Sequence, residues 1–122
     1  MRILLIDEDP LLLEALPPAL SPRLPLSNIT TALGPQDGLH HLEQERFDVV
    51  ITDLLMSGMP RDELTSRIKT LTQRAPVILI TGVPEIPGEV LPAYLFAVAQ
   101  AFDIAALVQT RVAAADSPES AT

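Results

Sequence analysis

The sequence predicts an α/β fold in a single domain, a doubly wound five-stranded parallel sheet with helices on both faces. Two observations carry that prediction. Apolar runs at residues 3–6, 49–51, 77–80 and 95–99 are short and do not alternate with polar residues. Such runs suit strands covered on both faces. Between them lie segments with apolar residues at helical spacing, so strands and helices take turns along the chain. The 122 residues are enough for one core and too few for two, and 48% of them are apolar. A packed globule is therefore expected rather than disorder.

The elements follow in order. The run 3–6 is the first strand. Asp9-Pro10 then opens a helix, with an aspartate cap followed by a proline whose missing N–H costs nothing in the first turn. Pro17-Pro18, with Pro22 and Pro25 beyond, is expected to end or kink that helix after Leu16, because an interior proline removes a donor and clashes with the preceding turn. Residues 27–32 form a weaker strand candidate, and Asn28, Thr30 and Thr31 mark it as an edge. A second helix spans 35–45 with Leu39 and Leu42 inward, and a third spans 62–73 with Leu64, Ile68 and Leu71 on one face. Pro84, Pro87, Gly88 and Pro92 crowd the place of a fourth helix, which is expected to be shortened, irregular or absent. The run 95–99 supplies the fifth strand. Asp103 caps a last helix carrying Ile104, Leu107, Val108, Arg111 and Val112. The domain is drawn at 1–114. Residues 115–122 are small and polar, and Ser117-Pro118-Glu119-Ser120 has the composition of a linker or a frayed tail.

Composition excludes several classes. A formal net charge of −8 without a basic stripe argues against direct nucleic-acid binding. The absence of cysteine removes disulfides and thiolate metal sites. The apolar runs are too short to cross a bilayer and the first residues lack a signal pattern, so a cytoplasmic protein without membrane contact is the default expectation.

The chemistry is expected where the first and third strands end. Asp7-Glu8-Asp9 follows one apolar run and Asp53 the other. With strand order 2-1-3-4-5 those strands are neighbours at the point where ligands bind in open parallel sheets. Carboxylates gathered there raise one another's pKa unless a cation intervenes. Oxygen donors without His or Cys favour a hard ion, and Mg²⁺ is the natural candidate. Thr81-Gly82, after the fourth run, puts a hydroxyl beside a tight turn on the same edge. Two other readings stand beside this one. In one the acids only cap turns; in the other the edge serves a small enzyme or cofactor carrier. A Gly-rich phosphate loop is missing after the first strand, and aromatics make up only 3% of the chain, which weighs against a nucleotide or flavin.

Three segments together resemble the receiver domain of two-component response regulators: Ile6-Asp7-Glu8-Asp9-Pro10, Asp48 through Met59 around Asp53, and Pro76-Val77-Ile78-Leu79-Ile80-Thr81-Gly82. The resemblance covers roughly residues 2–112 and implies a flavodoxin-like sheet. It also implies that Asp53 accepts a phosphoryl group from a kinase histidine. Asp7 and Glu8, with Asp53 and the backbone carbonyl of Leu55, would hold Mg²⁺ directly or through water. Thr81 would be the switch hydroxyl. The implied partners are a sensor histidine kinase or phosphotransfer protein and a downstream effector domain or protein, with a homodimer left open. The implied module is not an enzyme beyond self-phosphorylation and self-dephosphorylation of Asp53.

The chain departs from that family in ways that matter. Gln100 stands at the position of the usual lysine at the end of the fifth strand, and Ala101 at that of the usual cis-proline. Lys69 is the only lysine, and it lies in the third helix. Three carboxylates and one Mg²⁺ leave about −1 at the site, and a phosphoryl group adds about −1.5 to −2 more. Gln100 donates a hydrogen bond without charge, roughly half as strong as a charge-assisted one. The atypical receiver predicted here accepts phosphate less readily, or couples it less strongly to conformation. The alternative is a pseudo-receiver, a protein-interaction module independent of phosphorylation. Ser57 replaces the common proline after Asp53, and Pro60-Arg61 replaces the usual Asp-Gly. Arg61 is read as a solvated helix-start residue rather than a substitute cation. His40 and His41 point in different directions on one helix and read as surface. Phe96 is read as core, and Tyr94 as a weaker candidate for an aromatic switch.

Overall fold

Apolar strands without polar interruption should pair in the interior. The computed structural model, which describes residues 1–54, 56–72, 75–80 and 103–110, builds its sheet from them. Four parallel strands, β1 (Arg2–Asp7), β2 (Asn28–Leu33), β3 (Val49–Thr52) and β4 (Val77–Leu79), lie in the order β2-β1-β3-β4. Helices α1 (Pro10–Leu20), α2 (Pro35–Gln44) and α3 (Arg61–Thr72) connect them, and residues 103–110 form a further helical stretch. The expected edge strand is confirmed as β2, one residue further along than its composition indicates. The expected fifth strand at 95–99, the fourth-helix segment and the tail 115–122 lie outside the described residues.

The period of two in a strand divides the core between the two faces of the sheet. Ile3 and Leu5 of β1 pack with Leu12, Leu16 and Leu20 of α1 and with Ile104 and Val108. Leu4 and Ile6 pack on the other face with Leu39 and Leu42 of α2 and Leu64 and Ile68 of α3. Every one of the four β1 residues is fully buried. An apolar run without alternation is thus the signature of a strand with a core on each side. Gly38 allows α2 to approach β1 closely, since a Cβ there would lie 2.5 Å from Ile6 Cδ1.

The prolines do not stop α1. The helix continues through Pro17 and Pro18 to Leu20, and Ser21 N–H closes it on the Pro17 carbonyl. This corrects the expectation of an end after Leu16. An interior proline costs about 3 kcal/mol, whereas burying a leucine or isoleucine contributes about 1.5–3 kcal/mol. Leu16, Leu20 and Leu24 are all buried in the face that α1 covers. Together they offset what the prolines cost, and the chain holds the helical path to keep them there. Glu14 and Pro18 lie on the exposed side, where water can reach the carbonyl left without its helical donor. No helix among the described residues is long and apolar enough to cross a membrane.

Candidate functional site

Strand register sets the site. β1 and β3 pair in parallel, with Ile3 opposite Val49 and Ile6 opposite Thr52. One residue further on, Asp53 N–H donates to the Ile6 carbonyl at 3.2 Å. Asp7 and Asp53 are therefore side by side at the carboxyl ends of the two central strands. Both are buried, at 3% and 7% exposure. The same edge is sealed from the flanks, because Gly34 N–H donates to the Asp7 carbonyl and Ile80 N–H to that of Thr52.

The local sequence gives each acid after β1 a different task. Asp9 caps α1 by accepting from Leu11 N–H at 3.0 Å, as its place before Pro10 predicts. Asp7 Oδ1 accepts from Asp9 N–H at 2.8 Å. Asp7 Oδ2 is buried without a hydrogen-bond partner among the described residues. Glu8 turns outward, and its Oε2 accepts from Ser57 N–H at 3.0 Å and from Ser57 Oγ–H at 2.7 Å.

Electrostatics follow from that placement. Burial pushes the Asp7 carboxyl up to about 6, and the charges of Asp53 and Asp9 push the same way against the backbone N–H groups of Asp9 and Glu8. A buried carboxylate oxygen left unbonded is costly. A cation on Asp7 Oδ2 would remove that cost. Mg²⁺ accepts one or two carboxylates, keeps several waters and takes a phosphate oxygen, so the Asp7–Asp53 pair fits such an ion. It does not form a complete protein cage: among the described residues, no group of three or more His, Cys, Asp or Glu side chains is gathered to hold a metal.

A buried acidic pair at the carboxyl edge of a doubly wound parallel sheet is the arrangement that the sequence resemblance led one to expect. The family model for the response regulator receiver domain matches residues 3–91. The chain belongs to the response regulator receiver domain family. It is 35% identical over 89 residues to the transcriptional regulatory protein GlrR of Escherichia coli (strain K12), covering 73% of this chain and 20% of that protein. This receiver thus spans about a fifth of the length of that relative. It is also similar to a chain in the crystal structure of histidine kinase ThkA in complex with response regulator protein TrrA, at 27% identity and a TM-score of 0.59, covering 72% of this chain and 74% of that one. A response regulator receiver domain from Clostridium thermocellum shares the fold at 23% identity and a TM-score of 0.68, covering 91% of this chain and 93% of the other.

Receiver domains act in two-component signalling, as signalling modules rather than enzymes in general. They work with histidine kinases and effectors and typically bind Mg²⁺ where they are phosphorylated. In this receiver, Asp7 and Asp53 come together as the sequence predicts, and Glu8 is adjacent but bonded to the β3–α3 loop. Leu55, Thr81, Gln100 and Ala101, together with Tyr94 and Phe96, lie outside the described residues. His40 is exposed and His41 is half-buried on α2, far in the chain from the acids. Arg61 opens α3 as an exposed residue. One participant is not legible as such in the sequence: Ser57 stands out there only for replacing a proline, and its bonds to Glu8 join residues 49 apart in sequence.

Proposed function

We propose that this receiver accepts a phosphoryl group on Asp53, with Mg²⁺ held by Asp7 and Asp53, helped by Glu8 and by the backbone carbonyl of Leu55. The observation that carries the reading is Asp7 Oδ2, a buried oxygen without a hydrogen-bond partner among the described residues, beside a second buried carboxylate. Such a pair is stabilised by a divalent ion and is destabilising without one. An Asp53 carboxylate oxygen attacks the phosphorus of the donor, the P–N bond to a kinase histidine breaks, and its electron pair leaves with the imidazole. Bound Mg²⁺ supplies charge neutralisation at the phosphoryl oxygens. The burial of Asp53 and Asp7 limits the water that reaches the acyl phosphate. Thr81 is assigned the hydroxyl that meets the new phosphoryl group. The proposed partners are a sensor histidine kinase or phosphotransfer protein on one side and an effector domain on the other.

The test is intact-mass measurement after incubation with Mg²⁺ and a small acyl-phosphate donor. The wild type is expected to gain one phosphoryl group and Asp53→Asn none. A wild type that stays unlabelled under conditions that label an ordinary receiver would sink the reading.

A second reading rests on a separate observation. Gln100 stands where receivers carry a lysine, and Lys69, the only lysine of the chain, lies on α3. In this pseudo-receiver the fold serves as an interaction module and phosphorylation does not switch it. Gln100→Lys is expected to raise the yield of labelling severalfold by restoring the missing charge. An unchanged yield would remove the account of the defect.

A further inference from the structure

Glu8 follows Asp7 directly in the chain, yet its carboxylate is not gathered with the Asp7–Asp53 pair. It is held elsewhere. Both donors of Ser57 converge on Glu8 Oε2, the backbone N–H at 3.0 Å and the hydroxyl at 2.7 Å. Hydrogen bonds to an ionised acceptor are the stronger kind. The Oγ–Oε2 distance falls in the ordinary range of an O–H to carboxylate contact. Gly58, at φ 90, lets the chain reverse directly after Ser57. The contact ties the β1–α1 loop to the β3–α3 loop, the two segments at the strand ends where the buried acids lie. The proline common at this position in receivers has neither a backbone N–H nor a hydroxyl, so it could make neither bond.

We propose that Ser57 is a latch on Glu8: it holds the Glu8 carboxylate on the β3–α3 loop, and Mg²⁺ has to draw it away to complete the acidic site. Ser57 is thus a positioning residue that weakens metal binding in the resting receiver. The latch rests on the reading of Asp7 and Asp53 as the core of a Mg²⁺ site, and it assigns the third acid a state that depends on Ser57. Opening it frees one of the links between the two loops at the moment the metal binds.

The experiment is calorimetric titration of the full chain with MgCl₂ alone. Ser57→Ala, which removes the shorter bond, is expected to bind about two- to tenfold more tightly than the wild type, the net worth of one hydrogen bond. Ser57→Pro, which removes both, should bind at least as tightly as Ser57→Ala. Ser57→Thr keeps both donors and should match the wild type. In a Glu8→Ala background, where Ser57 has no side-chain acceptor to hold, Ser57→Ala should bring no gain. Amide exchange at Ser57 gives an independent readout: protection in metal-free wild type, lost in Glu8→Ala, which removes the acceptor, and lost on adding Mg²⁺. Equal or weaker Mg²⁺ binding by Ser57→Ala, beside a wild type that binds, overturns the latch and leaves the metal site standing. Binding by Ser57→Ala but not by the wild type supports the latch in its strongest form. Absence of binding by both removes the metal site and the latch with it.

Discussion

The two ends of the sheet hold similar residues in opposite states. At the amino end, Arg2 N–H donates to Asp48 Oδ2 at 2.7 Å, and Asp48 N–H returns a bond to the Arg2 carbonyl at 2.8 Å. The Arg2 guanidinium meets Glu45 at 2.7 Å and lies over the Phe47 ring at 5.3 Å. Each acid there has a donor, and both side chains of the ion pair are open to water. At the carboxyl end, Asp7 and Asp53 are buried side by side and Asp7 keeps an unbonded oxygen. Burial cannot be the reason for stability at that end, since it is the reason for the cost. The contrast separates charges that close a fold from charges whose burial costs it stability.

Replacing the tense group should have the larger effect. The Asp7 carboxyl is pushed up to about 6 from 3.8, which corresponds to roughly 3 kcal/mol of penalty on the ionised native state. Asn at this position still accepts from Asp9 N–H and carries no charge. In buffer free of divalent ions at pH 7, Asp7→Asn is expected to stabilise the fold by roughly 1–3 kcal/mol in urea denaturation, while losing Mg²⁺ binding. The sign with pH is fixed by the direction of the shift. Between about 4 and 6 the native state holds more protons than the unfolded chain, so this group's contribution to wild-type stability falls as pH rises. The advantage of Asp7→Asn should therefore vanish below pH ~4 and reach its full size above pH ~6. A variant less stable than the wild type at neutral pH would break the comparison.

The satisfied end should respond far less. Arg2 and Glu45 are 45% and 40% exposed, and a pair so placed contributes little. Arg2→Ala is expected to cost about 0.2–1 kcal/mol by denaturant unfolding, with part of the loss disappearing in high salt. A cost of several kcal/mol, or one that salt does not touch, would show that the amino end carries more of the fold than its exposure allows.

Much of the architecture was legible because its signals are local. The apolar run of β1 announced a strand covered on both faces, and Ile3–Ile6 are buried there without exception. Asp9-Pro10 announced a helix start, since a cap and a first-turn proline act within three residues of each other. The acids Asp7 and Asp53 were legible as strand-end residues, and the sheet register brings them together. The path of α1 was not. Local rules end it at Pro17, and only the burial of Leu16, Leu20 and Leu24 against distant strands carries it on.

The sequence by itself thus determined the alternation of strands and helices and the sheet edge at which the acids gather. Periodicity, caps and proline chemistry are properties of neighbours in the chain. Only the tertiary structure decided which oxygen of Asp7 is left unbonded, and that Glu8 is drawn to Ser57 instead of to its neighbouring acids. Those outcomes depend on donors brought from remote parts of the chain, and on how far burial raises the cost of a charge that water would otherwise bear.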